Sequence, residues 1–433
     1  MTTTQALDAI ETELLTLFPE ESGITTDGEL TIGGCGVGEL ARRFGTPAYI
    51  MDEIGLRRQI RRFVDGLATR WPNSEVIFAS KSLPCVAMYA IAQAEGLSVD
   101  VAGGGELVMA LAAGVDPHRI YLHGNAKSDA EITMALDARV AGIIVDNFDD
   151  LDRLDRLANK EQGVLIRMIP GISAVTHASQ ATGGHDSKFG LPVDQLQIAI
   201  ERVRASPFLR LDGIHVHVGS QILGVGQFIE AVESVAALGL FPAYDIGGGL
   251  GVRYTDSETA PTVEEYLDAV TEAAHQLLPK TAKLMIEPGR AVVARAGITL
   301  YTVNTVKTTG KTFVAVDGGM ADNLDIALTG QRYEAVVANK MKLPRAVDSD
   351  VVGRQCESGD LLVGGVTLAD PKVGDLLAMP MTGAYAYTTV NNYNGALIPP
   401  IIFCANGVAR VGAERQTYDG LMHVHRAALE TTW

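Results

Sequence analysis

One lysine, Lys81, stands at the end of the apolar run in "EVIFASKSLPCVAM" (75–88). An amine at such a place can act as a nucleophile if its surroundings hold it against a carbonyl. Other reactive types recur at the ends of similar short runs: Asp100, His123 with Gly124, Asn147, Arg167, His217 with Ser220, Gly247 to Gly249, and Glu287 with Arg290. "DIGGGLG", Asp245 to Gly251, offers successive backbone amides without Cβ obstruction, which suits a nest around a phosphate. It is not the dinucleotide fingerprint, which opens a helix in the first βα unit. "EPGR" adds a carboxylate, Glu287, and an anion-binding guanidinium, Arg290. His215 and His217 alternate on one strand and so share a face. "HxH" can also bind zinc, but no third ligand at suitable spacing accompanies it. His177 and His185 fall in "THASQATGGHDSKFG", a polar stretch read as a loop.

The runs that end on these residues are "EVIFAS", "LSVDVAG", "RIYLHG", "GIIVDN", "VLIRMIPG", "GIHVHVG", "AYDIGGG" and "KLMIEPG". Between them lie segments such as "PCVAMYAIAQAEG", with apolar residues at three-to-four spacing and a closing Gly, as amphipathic helices have. The alternation predicts an α/β chain with a (β/α)8 barrel over 46–297, "TPAYIMD" (46–52) being a lead-in strand. After 297, runs such as "ITLYTVNTVK", "KTFVAVDGG", "DLLVGG" and "IIFCANGVARVG" lack barrel-length helices between them and predict an antiparallel β domain over 298–433. Residues 1–45, including the helical stripe "ALDAIETELLTLF", read as a helix and strand segment docked on that domain. Barrel enzymes build their sites at the C-terminal ends of the strands. Each residue named above has an ordinary structural explanation, but their coincidence at one rim points to chemistry. A lysine, a phosphate nest, a histidine and a carboxylate together fit pyridoxal phosphate, with Lys81 as its covalent anchor, His217 stacked on the ring and Glu287 at the pyridine nitrogen.

Composition narrows the class. A chain of 433 residues with 47% hydrophobic and 20% charged residues reads as a globular protein larger than one ordinary core. No apolar run reaches the length of a membrane span, and the acidic N-terminus lacks a basic, apolar leader, so a cytoplasmic location is expected. The net charge of -17 disfavours nucleic acid. Cys35, Cys85, Cys356 and Cys404 are dispersed, which argues against a disulfide framework or zinc knuckle and for free thiols.

Over most of its length the chain resembles the fold-type III pyridoxal phosphate enzymes, the diaminopimelate decarboxylase-like and ornithine decarboxylase-like family. The resemblance is carried by "ASKS", "SVDVAGGGEL", "IYLHGNAKSD", "SKFGL", "HVHVGSQI", "DIGGGLG", "EPGRAVVARAG", "VDGGMADN", "CESGD" and "GAYAYTTVNNYNG". It implies an alanine-racemase-like barrel, a β domain, and a homodimer whose active sites are shared. Lys81 is similar to the family's cofactor-bearing lysine, His217 to its stacking residue, and Glu287 to the partner of the pyridine nitrogen. Ser220, Gly247, Gly248, Gly249, Gly289 and Arg290 resemble its phosphate cradle, with Tyr385 closing it and Asp100 and Arg167 in support. Cys356 resembles a proton donor supplied across the dimer, and Glu357 and Tyr393 resemble substrate contacts. The resemblance implies α-decarboxylation of an amino acid. Racemases of the same fold place an arginine where this chain has Glu287.

The chain departs from the family where the substrate's distal carboxylate is gripped. Asp325 and Thr329 stand where an arginine and a tyrosine are expected in "DGGMADNLDIALTGQRY". Losing one member of a desolvated charge pair costs about 2–5 kcal/mol. The expectation from this departure is a modified or carrier-protein-tethered amino acid rather than free diaminopimelate, with diaminopimelate itself or a cationic amino acid such as ornithine or lysine as alternatives.

Overall fold

A computed structural model describes residues 14–172 and 187–431. His177, His185 and residues 6–13 of the N-terminal stripe lie outside the described residues. The chain divides into two compact units, one of residues 57–252 and 259–292, the other of residues up to 56, 253–258 and from 293 onward.

The first unit is a closed eight-stranded barrel in sequential order, parallel throughout. Its strands are Ser74–Ala79, Ser98–Val101, Ile120–Leu122, Gly142–Val145, Gln162–Met168, Leu209–Val216, Ala243–Asp245 and Lys283–Ile286. All eight coincide with the apolar runs read from the sequence. These strands are buried on both faces, so they show as continuous rather than alternating hydrophobic stretches. Inside the barrel Ile77, Tyr121, Ile144, Leu165, Ala243 and Met285 pack together. The outer helices begin where side chains satisfy their free amides. Ser128 and Glu131 form a capping box ahead of Asp129–Ala138, Thr262 and Glu265 do the same for Val263–Leu277, and Asn147 caps Phe148–Leu157.

The second unit holds a nine-stranded sheet built around the long strand Gly297–Thr308. The sheet is mixed, because Thr312–Val316 pairs in parallel with Val347–Val352, and Ala48–Asp52 in parallel with Ile401–Ala405. Its other pairings are antiparallel. Ala48–Asp52, read from the sequence as a lead-in to the barrel, lies instead in this sheet between Gly297–Thr308 and Ile401–Ala405. A buried apolar pentad does not say which sheet it joins. Ahead of it, Ser22–Ile24, Leu30–Ile32 and Cys35–Gly36 form a small antiparallel sheet, tied to the unit by Leu30 N–H donating to Ala338 O (2.8 Å) and Gly407 N–H donating to Gly33 O (2.8 Å). Among the described residues no helix is long and apolar enough to cross a membrane.

Candidate active site

The barrel rim is assembled from the strand ends. After Ser74–Ala79 the chain enters a single 3-10 turn, Ser80–Ser82, in which Ser80 and Ser82 are buried and Lys81 is exposed. The turn is held by Ser80 N–H donating to Asp100 Oδ1 (2.7 Å) on the next strand and by Ser82 Oγ–H donating to Ala79 O (2.8 Å). Burial raises the Asp100 carboxyl to about 6, with His123 opposing the rise and Glu287 adding to it. His215, on the sixth strand, and His217, one residue past its end, have separate surroundings. His215 Nε2 lies 3.2 Å from Glu287 Oε2, whereas His217 Nδ1 accepts the Gly248 N–H at 3.2 Å. The shared-ligand reading of "HxH" is therefore not what the strand end builds. Burial pushes His215 down to about 4, and burial together with the charges of Lys81 and Arg167 pushes His217 far down, so both imidazoles are neutral near pH 7.

Glu287 is the centre of the cluster. Its Oε1 lies 3.0 Å from His123 Nε2 and its Oε2 faces His215, with the two rings edge to face at 5.3 Å between centroids. Burial alone would raise its carboxyl, but the imidazoles of His123 and His215 hold it well below the usual carboxylate range. Asp245, fully buried beside it, goes the other way. Burial and the neighbouring Glu287 charge push it well up, while Gly247 N–H donates to its Oδ1 (2.8 Å). Asp245 and Glu287, side by side, are thus pushed in opposite directions. Arg167, on the fifth strand, sits 3.6 Å from Asp146 Oδ1 and packs over the Phe189 ring at 4.6 Å.

The glycine turn admits nothing larger. A Cβ would fall 2.4 Å from Val216 O at Gly247, 2.0 Å from Glu287 O at Gly248 and 2.3 Å from Gly219 O at Gly249. Gly247 and Gly249 also have positive φ, 71° and 114°. Gly289 is pressed against Ala79, where a Cβ would meet Ala79 Cβ at 2.8 Å. Arg290, buried, donates from Nη2 to Ser220 Oγ (3.3 Å). Bare backbone, a hydroxyl and a guanidinium suit a phosphate, while a buried carboxylate suits a protonated ring nitrogen and an exposed lysine suits an aldehyde. This donor set fits pyridoxal phosphate.

The remaining sequence candidates lie in the second unit. Asp325 opens the short helix Asp325–Thr329 and is buried, accepting Tyr333 Oη–H at Oδ2 (3.0 Å), while Thr329 Oγ–H donates to Asp325 O (2.8 Å). Cys356 and Glu357 are exposed, with Cys356 N–H donating to Asn394 Oδ1 (2.8 Å). Tyr393 begins the turn Tyr393–Gly395, and Tyr385 holds a left-handed φ of 62°. His123 and His215 were not among the residues assigned a role from the sequence. Both end or follow barrel strands, which was the one signal available for them.

Comparison with known proteins agrees with this geometry. Residues 56–294 match the family model described as pyridoxal-dependent decarboxylase, pyridoxal binding domain. The chain is 39% identical over 416 residues to the diaminopimelate decarboxylase of Bacillus subtilis, covering 91% of this chain and 94% of that one. It is 42% identical to that of Actinosynnema pretiosum, covering 91% and 92%. A crystal structure of the M. jannaschii diaminopimelate decarboxylase in complex with L-lysine superposes with a TM-score of 0.86 at 28% identity, covering 93% of this chain and 97% of that one. These matches overturn the expectation of a modified or carrier-tethered substrate. That expectation rested on two positions of one motif, and Asp325 is already engaged by Tyr333 within its own segment. Relatives of near full length at 36–42% identity are named diaminopimelate decarboxylase. A barrel rim that fits the cofactor and a family match over more than half the chain lead to one conclusion: the protein belongs to the pyridoxal-dependent decarboxylases and is a carboxy-lyase that uses pyridoxal phosphate.

Proposed function

We propose that the protein removes one α-carboxylate from free diaminopimelate, giving lysine. The observation that carries this reading is the near full-length likeness to diaminopimelate decarboxylases, joined to a rim with lysine, carboxylate and glycine turn all in place. Pyridoxal phosphate, when bound, supplies an electron sink for the pair left at Cα as carbon dioxide departs. The chain's own residues do the rest. Lys81 holds the cofactor, His217 covers its ring, and Asp100 and Arg167 brace Lys81 and the ring. Glu287 keeps the proton on the pyridine nitrogen. Gly247, Gly248, Gly249, Gly289, Ser220, Arg290 and Tyr385 receive the phosphate. Cys356 delivers a proton to Cα, and Glu357, Tyr385 and Tyr393 meet the substrate.

The protein works as a homodimer in this reading. Cys356 and Glu357, exposed on the single chain, serve the neighbouring subunit's site. The compartment is the cytoplasm, which the four free cysteines support. The test is to incubate the purified holoenzyme with meso-diaminopimelate, lysine and ornithine, and to follow carbon dioxide release and the product. Lysine formed from diaminopimelate, and abolished in Lys81→Ala, supports the reading. Release from lysine or ornithine alone, or epimerisation without carbon dioxide, would overturn it.

A further inference from the structure

We infer that His123 and His215 are a pair of positioning residues for Glu287, one imidazole against each carboxylate oxygen, which fix the rotation of the carboxylate and keep it ionised for the cofactor's ring. The inference rests on Glu287 being the partner of the pyridine nitrogen. Three features of the geometry carry it. The contacts are divided, His123 Nε2 to Oε1 at 3.0 Å and His215 Nε2 to Oε2 at 3.2 Å, so neither oxygen can swing away without losing one. The three residues come from the ends of the third, sixth and eighth strands, so the carboxylate is gripped across the barrel rather than by a neighbour in sequence. The two rings also pack edge to face, at 76° between their planes, so each limits the rotation of the other. All three side chains are buried, which denies Glu287 bulk water as an alternative source of hydrogen bonds.

A carboxylate has lone-pair sites to spare. With each oxygen able to accept twice, the imidazoles leave room for a ring N–H. Other charges face the same carboxylate and pull in both directions. Asp100 on the second strand and Asp245 on the seventh favour a proton on Glu287, whereas Arg167 on the fifth strand favours its loss. His217, one residue past the end of the strand that carries His215, completes the surroundings. Without the two imidazoles, burial and the acidic neighbours act together to protonate Glu287. A neutral Glu287 no longer holds the ring nitrogen's proton.

The experiment reads the cofactor rather than turnover. The variants His123→Leu, His215→Leu, His123→Gln and His215→Gln are prepared with Glu287→Gln as control. For each, pyridoxal phosphate affinity and the visible spectrum of the bound cofactor are recorded across the neutral pH range. Each leucine variant should bind the cofactor about ten- to a hundredfold more weakly, as expected for a lost polar contact with a charged group: a hydrogen bond for His215, a 3.0 Å contact outside hydrogen-bond geometry for His123. It should also acquire an acid-side spectral transition that the unaltered protein lacks. The glutamine variants, whose amide N–H can reach where imidazole Nε2 donates, should recover most of both. Should a leucine variant fail to fold, His→Asn against His→Gln at the same position carries the test, because the asparagine amide falls short of Nε2. Affinity and spectra unchanged in the donor-less variants, while Glu287→Gln shifts them, would overturn this inference alone. A spectrum unchanged in Glu287→Gln would overturn the reading of Glu287 itself.

Discussion

His215 gives the barrel rim a definite acid sensitivity. Burial lowers its pKa from 6.5 to about 4, so it stays neutral in the folded barrel down to a pH at which the unfolded chain has long since taken up a proton. Between these values the unfolded state binds more protons, so stability falls as pH drops from 6.5 towards 4 and is unaffected above that window. At about 1.4 kcal/mol per pH unit, the loss from this one imidazole is about 3 kcal/mol. His215→Gln, which does not titrate, should flatten the acid limb of the apoenzyme's urea stability by about that amount. Equal slopes for the two proteins would show that His215 is protonated without penalty. Lys81 makes a prediction of another kind, since it is the exposed member of a buried turn. Lys81→Ala should abolish the cofactor's covalent attachment, read as loss of the borohydride-reducible absorption band. A stable band in that variant would assign the attachment elsewhere.

The elements that carry these residues were legible to different degrees, for physical reasons. Barrel strands buried on both faces leave continuous apolar runs, and the polar residue ending each run marks the rim, so Lys81, His217, Glu287 and Arg290 were visible in the sequence. The grip of His123 and His215 on Glu287 was not, because it joins strands that meet only when the barrel closes. The second sheet was harder to read. Val347–Val352, "VDSDVV", alternates buried and polar residues too weakly to stand out, and Ala48–Asp52 enters a sheet whose other strands lie hundreds of residues away. One buried contact between barrel elements is directly testable. Lys127, which precedes the helix Asp129–Ala138, donates from Nζ to Asp150 Oδ2 in the following helix at 2.6 Å and to Gly124 O at 2.6 Å. The same Asp150 oxygen accepts the Asp146 N–H (3.0 Å), next to the residue that caps that helix. Both side chains are buried, so Lys127→Met strands a carboxylate and should cost about 3–5 kcal/mol of urea stability. Lys127→Met with Asp150→Asn removes the stranded charge, keeps an acceptor for Asp146 N–H, and should recover part of the loss. A cost below about 1 kcal/mol for Lys127→Met would mean that Asp150 is protonated or hydrated there.

At the scale of the whole molecule, the proposed proton donor raises a question of solvent. A group that protonates a carbanion selectively must exclude water from it, yet Cys356 is exposed on the single chain. In the proposed homodimer a second copy would cover it, and in a closed twofold dimer each subunit both gives and receives such a residue. Shared sites have a consequence that unshared sites lack. Mixing Lys81→Ala with Cys356→Ala chains and allowing exchange gives heterodimers in half of the population. In each heterodimer, the chain that keeps Lys81 receives an intact Cys356 from its partner, while the other site lacks both. About a quarter of all sites should therefore be whole, and activity should rise from two impaired parents to about a quarter of the unaltered enzyme's. If Lys81 and Cys356 of one chain serve the same site, every heterodimer carries two broken sites and mixing restores nothing. Differently tagged chains co-purifying without recovered activity would therefore refute the shared site while leaving the dimer standing.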